Sequence, residues 1–196
     1  MDRIYRVGID EVPKRLTIKD AEEVRLVFVV MPGISADVPF DISIEREGVN
    51  LEIYGLYLCP HSEHVNFRVR VRHLVGGSKS TQLFKGIVGG SGRVGFDGLI
   101  YIAPEAQKTK ALQENHTLLL SDSALIDSRP QLEIYADDVE CSHGATTGSL
   151  NPEELFYMRS RGIPEELARR IQILSFISPV LKYLPEEYRR QILARL

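Results

Sequence analysis

Apolar and polar residues alternate in short bursts along most of this chain. From about Glu23 to Glu140, runs rich in Val, Ile, Leu, Phe and Tyr are broken every several residues by Gly, Asn, Asp or Ser, a pattern of many short strands. It predicts strands over 26–30, 49–58, 65–73, 81–87, 93–96, 99–102, 117–120 and 132–135. In Asn50-Leu51-Glu52-Ile53-Tyr54 and Phe67-Arg68-Val69-Arg70-Val71-Arg72, apolar side chains fall on one face and mostly polar ones on the other. No amphipathic helix of credible length interrupts the strands and no hairpin signature dominates. Periodicity alone therefore leaves a sandwich, a barrel or a β-helix open. In a β-helix, Asp97-Gly98 and Ser121-Asp122-Ser123 are the expected turns.

Residues 151–196 change character. Asn151 is placed to cap a helix with Pro152 at its first position and Glu153 and Glu154 in its first turn. Gly162 ends that helix, Pro164, Glu165 and Glu166 open a second reaching roughly Ser178, and Pro185, Glu186 and Glu187 open a third. Leu155, Leu167, Ile171, Leu174, Ile177, Leu181 and Ile192 recur at helical spacing, as helix core or as a docking face. The organisation expected is a mainly β body over 1–150 and a small helical unit over 151–196.

A chain of 196 residues with 43% hydrophobic composition can bury a sizeable core. Its net charge of -3 is spread without a basic stripe, which argues against nucleic acid or a membrane surface as partner. Two distant cysteines and a start without a secretory pattern suggest the cytoplasm. The apolar stretch 26–31 is too short to cross a bilayer and reads as a buried strand.

Chemistry-bearing residues are few. Cys141 and His143 are two apart, so on a strand they share a face where thiolate and imidazole can hold iron or a sulfur species; two ligands do not close a site. Off a strand, Cys141 is a small buried residue and His143-Gly144 an exit turn. Cys59, His61 and His64 have a spacing that suits zinc or iron, without a firm fourth ligand, and fit an exposed loop better. A hydrolase would need Ser142 or Ser121 as nucleophile, His143 as base and Asp137 or Asp138 behind it, yet adjacent Ser142 and His143 diverge on a strand. Asp137 and Asp138 suit a turn. The glycines from Gly86 to Gly92 lack the ending of a phosphate loop.

The segment LEIYADDVECSHGATTG (132–148) closely resembles the signature near the carboxyl end of SufD proteins, and LFYMRSRGI (155–163) resembles the continuation of that family at the right distance. Weaker similarity runs through Glu63-His64-Val65, Lys85-Gly86-Ile87-Val88, Gly92-Arg93-Val94, Phe96-Asp97-Gly98 and Ala106-Gln107-Lys108-Thr109, so that coverage extends from about Tyr54 to the end. The resemblance is to the SufB/SufD family of iron–sulfur cluster assembly scaffolds. It implies a right-handed parallel β-helix followed by carboxyl-terminal helices, and a scaffold that is not itself an enzyme. The implied partners are a SufB-like scaffold, or a second copy in a homodimer, and a SufC-like ATPase docked on the tail near Phe156, Arg159, Arg161, Leu167 and Ile171. No cofactor is expected to stay bound, although a transient iron–sulfur cluster fits the assembled complex. His143 falls on a family histidine implicated in building the cluster, with Cys141 beside it, and Ser121 is the approximate counterpart of a SufB cysteine. Full-length members are about twice as long, and residues 1–49 do not obviously replace their amino-terminal half. The competing reading is a metal-binding or hydrolytic β-helix protein using His143 and Cys141.

Overall fold

The computed structural model describes residues 1–195; residue 196 of the expected helical unit lies outside the described residues. Eleven strands alternate between two sheets: β1 (Asp2–Arg6), β2 (Arg15–Ile18), β3 (Glu23–Val30), β4 (Ala36–Ile44), β5 (Asn50–Cys59), β6 (His64–His73), β7 (Lys79–Val88), β8 (Arg93–Ile102), β9 (Lys110–Leu119), β10 (Leu125–Ile134) and β11 (Glu140–Gly148). The odd strands form a six-stranded sheet in the order β1-β3-β5-β7-β9-β11, and the even strands a five-stranded sheet in the order β10-β8-β6-β4-β2. Strand pairs such as β5 with β7 and β6 with β8 are parallel, as stacked coils of about five turns require. The chain is thus a β-helix, and the sandwich and barrel alternatives fall away.

Alternation decides what lies inside. On β6, Val65, Phe67, Val69 and Val71 are buried in the lumen, while Arg68, Arg70 and Arg72 point outward toward Asp97 and Asp41. Two aromatic rings lie flat over glycines of the neighbouring coil. Gly55 pairs with Phe84 and Gly86 with Tyr57, and a Cβ built on either glycine would sit 2.1 Å from Phe84 or 1.6 Å from Tyr57. Each glycine thus makes room for its partner's ring.

Several expectations change in detail. Residues 93–102 are one strand, with Asp97 and Gly98 in its middle. Gly98 faces the lumen, where a Cβ would stand 2.2 Å from Oε1 of Gln113, so its role is packing and not turning. Ser121-Asp122-Ser123 does make a corner, and Asp137-Asp138 a bend. β4 escaped the pattern because Pro39 interrupts it; β2 pairs only from Asp41 onward, so Pro39 lacks a ladder neighbour on that side. Residues 1–49 are themselves coils, β1 to β4.

Three helices follow: α1 (Pro152–Ser160), α2 (Glu165–Leu181) and α3 (Glu186–Leu193). Asn151 Oδ1 accepts from the amides of Glu153 and Glu154, and Gly162 at φ +85° closes α1. The buried face of α2 is Ala168, Ile173, Ile177 and Val180. With Leu184 and Ile192 it covers Val27, Val29, Leu56, Leu58 and Ile87 on the outside of the six-stranded sheet. Tyr54 and Tyr183 stack at 3.9 Å and bond through their hydroxyls at 2.8 Å. Leu167 and Ile171 stay exposed, and α1 buries no residue. Among the described residues, no helix is long and apolar enough to cross a membrane.

Candidate functional site

The stack ends on β10 and β11, each paired on one side only. Cys141 and His143 lie within β11, not in an exit turn, because β11 pairs in register with β9 through nine residues. Cys141 stacks on Ala111, His143 on Gln113, Ala145 on Asn115 and Thr147 on Thr117. Ala111, Gln113, Asn115 and Thr117 are the buried, lumen-facing residues of β9. Cys141 and His143 therefore share the lumen face of the last coil, and among the described residues no strand stacks above them. Cys141 is half-buried and burial pushes its thiol up, whereas His143 is exposed.

Beneath this open end the lumen turns polar. Tyr57 Oη bonds Asn115 Oδ1 at 2.9 Å and Thr117 Oγ1 at 2.6 Å, and Asn115 Nδ2 donates to Ser128 Oγ at 3.0 Å. Gln113 Nε2 donates to Gln82 Oε1 at 2.8 Å. Deeper, His73 Nε2 meets Ser80 Oγ at 2.8 Å, and burial pushes this imidazole down to about 4. Sequence reading missed Gln82, Gln113, Asn115 and Thr117. For the three on β9 the only signal was indirect, since that strand's buried lumen residues include no large apolar one.

Other candidates are dispersed. Cys59 is fully buried at the end of β5, not in a loop, and burial pushes its thiol up to about 12. His61 and His64 are exposed on the corner and the first residue of β6. That corner is organised by Glu63, whose buried carboxylate accepts from the amides of Gly33 and His61, both at 2.8 Å. Burial pushes Glu63 up, but the N–H donors outweigh it and hold the carboxyl low. Among the described residues, no three His, Cys, Asp or Glu side chains are grouped to hold a metal ion. Ser142 lies on the outer side of β11, Ser121 donates to Gly90 O at a corner, and Asp138 pairs with Lys108. The hydrolase constellation is not assembled.

The tail residues sit apart from this end group. Phe156 and Tyr157 are 72% and 59% exposed on α1, and Arg161 lies over Tyr157 at 5.4 Å. Arg159 pairs with Glu165 at 3.3 Å. A groove of about 760 Å³ runs between α1, α2 and the sheet, lined by Leu118, Leu150, Tyr157, Met158, Ile171 and Phe176.

The model of the SufBD core domain of the SUF iron–sulfur cluster assembly system matches residues 12–176. The chain belongs to the SufB/SufD family. It is 42% identical over 154 residues to the iron–sulfur cluster assembly protein SufD of Escherichia coli, covering 78% of this chain and 36% of that protein. A SufBD family protein of Mycobacterium leprae is 32% identical over 187 residues, covering 91% of this chain and 47% of that protein. A chloroplastic protein of Arabidopsis thaliana, ABCI7, is 39% identical over 137 residues, 68% of this chain and 28% of that one. The chain thus spans between about a quarter and a half of these relatives, and the SufBD match reaches back to residue 12, into coils that the resemblance alone left unassigned. Proteins of this family are scaffold components of the SUF iron–sulfur cluster assembly system.

Proposed function

We propose that this chain is a SufD-type scaffold unit that presents Cys141 and His143 at the open end of its β-helix to a nascent iron–sulfur cluster, completed by a SufB-like partner. The observation that carries this reading is the pair's placement, side by side on the lumen face of the terminal strand. A thiol and an imidazole are suitable iron ligands, and two of them need a partner to complete a coordination set. The free edges of β10 and β11 offer that partner unpaired N–H and C=O groups, which strands normally cover. A second copy could fill the same position in a homodimer. The cluster is cargo, passed on and not retained. The free thiols suit a reducing compartment such as the cytoplasm.

The tail is read as the dock of a SufC-like ATPase, supported by the exposure of Phe156, Leu167 and Ile171 with Arg159 and Arg161 beside them. Deleting residues 151–196 is a poor test, because α2 and α3 cover the apolar outside of the sheet. A better one combines Phe156→Glu with Leu167→Glu in the full chain and measures capture of the SufC and SufB proteins of the same cell. Loss of SufC with SufB retained supports the dock; unchanged SufC capture refutes it. His143→Ala in the reconstituted assembly is expected to abolish cluster formation without loosening the complex, and undiminished formation removes the scaffold reading of this site.

A further inference from the structure

One lumen column of the six-stranded sheet runs Leu26, Ile53, Gln82, Gln113, His143, each residue pairing with the next. The column is apolar deep in the stack and turns to amides only under the open end. Both glutamines are fully buried, where an amide left half-paired costs free energy. The adjacent Tyr57, Asn115, Thr117 and Ser128 escape that cost by bonding one another. The glutamines do not. Gln113 Nε2 is spent on Gln82, and among the described residues Gln113 Oε1 and Gln82 Nε2 have no partner. Gly98 admits the Gln113 carboxamide to the lumen. Residues in register on neighbouring strands stand about 4.8 Å apart, so the next lumen side chain beyond Gln113 is the exposed His143.

We propose that Gln113 is a positioning residue for His143: its carboxamide oxygen accepts a hydrogen bond from one imidazole N–H and fixes the tautomer, leaving the other ring nitrogen's lone pair for iron. A neutral imidazole is selected between two tautomers by the bond its protonated nitrogen makes, and only the unprotonated nitrogen can ligate. Gln82 holds the amide NH2, which leaves the carbonyl as the free end. The use of this device rests on the scaffold reading; its test does not.

The test is ¹⁵N NMR of the imidazoles in the full chain at alkaline pH, with His143 assigned through His143→Gln. One tautomer is expected to dominate at His143. Gln113→Met, which keeps the volume and removes the acceptor, is expected to move the ratio about fivefold toward that of free imidazole, the size an ordinary net hydrogen bond gives. Gln82→Met, which frees the Gln113 amide, shifts it the same way by less. The buried His73 signal reports the folded lumen, and if Gln113→Met does not fold the Gln82→Met result decides. A wild-type ratio equal to free imidazole, or a ratio unmoved by the substitutions, overturns the proposal. Failure of His143→Ala to impair cluster assembly would strike the scaffold reading alone.

Discussion

Replacing Gly86 with Ala puts a methyl group where the Tyr57 ring lies. The new Cβ would stand 1.6, 2.0 and 2.4 Å from three ring carbons, distances no side chain tolerates, so the ring must leave its position. Overpacking of a dense core costs about 1–3 kcal/mol. Moving the ring also breaks the bonds of its hydroxyl to Asn115 and Thr117 and strands those groups in the lumen, about 1–3 kcal/mol more. The expected loss is about 3–5 kcal/mol, read as a lower urea midpoint followed by far-UV circular dichroism, with a melting temperature lower by roughly 10 °C for a chain of this length. In a Tyr57→Leu background the clash is gone, and the same glycine change is expected to cost less than about 1 kcal/mol. A cost below about 1 kcal/mol in the wild type, or an equal cost in both backgrounds, refutes the packing argument.

His73 is held neutral by burial, its imidazole pushed down from 6.5 to about 4. Because the unfolded chain takes up that proton first, the contribution of His73 is full above about pH 6.5 and is lost as pH falls toward 4, about 3 kcal/mol in all. Urea midpoints across that window should flatten in His73→Leu, and an unchanged slope counts against the assignment. Asn151→Ala removes the α1 cap, worth about 1 kcal/mol; faster amide exchange confined to α1 is expected, with the global midpoint unmoved because α1 buries nothing. Iodoacetamide should modify Cys141 at least about tenfold faster than the sealed Cys59, and equal rates would contradict the burial described.

The strands most legible in the sequence are those with one wet and one apolar face, and β6 shows its lumen valines and outer arginines at a glance. The helices of the tail announce themselves through Asn151, Pro152, Gly162 and the proline-led acidic starts. β9 and β11 do not, because their lumen faces carry Gln113, Asn115, Thr117, Cys141 and His143, and no apolar period survives. That same polarity marks the candidate site at the end of the stack, so the hydrophobic pattern fails where the candidate residues lie. On α2, spacing alone did not show which stripe is buried; the sheet's outer face selects Ile173 and Val180 and leaves Leu167 and Ile171 outside. Spacing flagged His143 beside Cys141 and family resemblance singled it out, whereas Gln113 emerges only through the register of β9 with β11.

The exchange of rings and glycines between β5 and β7 bears on how such a molecule can change length. A solenoid is often treated as beads on a string, lengthened by copying one bead. Here Tyr57 leans forward onto Gly86 while Phe84 leans back onto Gly55, like two cut keys sharing a lock. Copying the coil of β5 beside itself would set tyrosine against tyrosine and leave glycine facing glycine, a clash and a void in a single layer. The ring–glycine exchange leaves coils free to be gained or lost outside this pair but not between its members. Length variation among relatives should therefore leave the step from β5 to β7 intact.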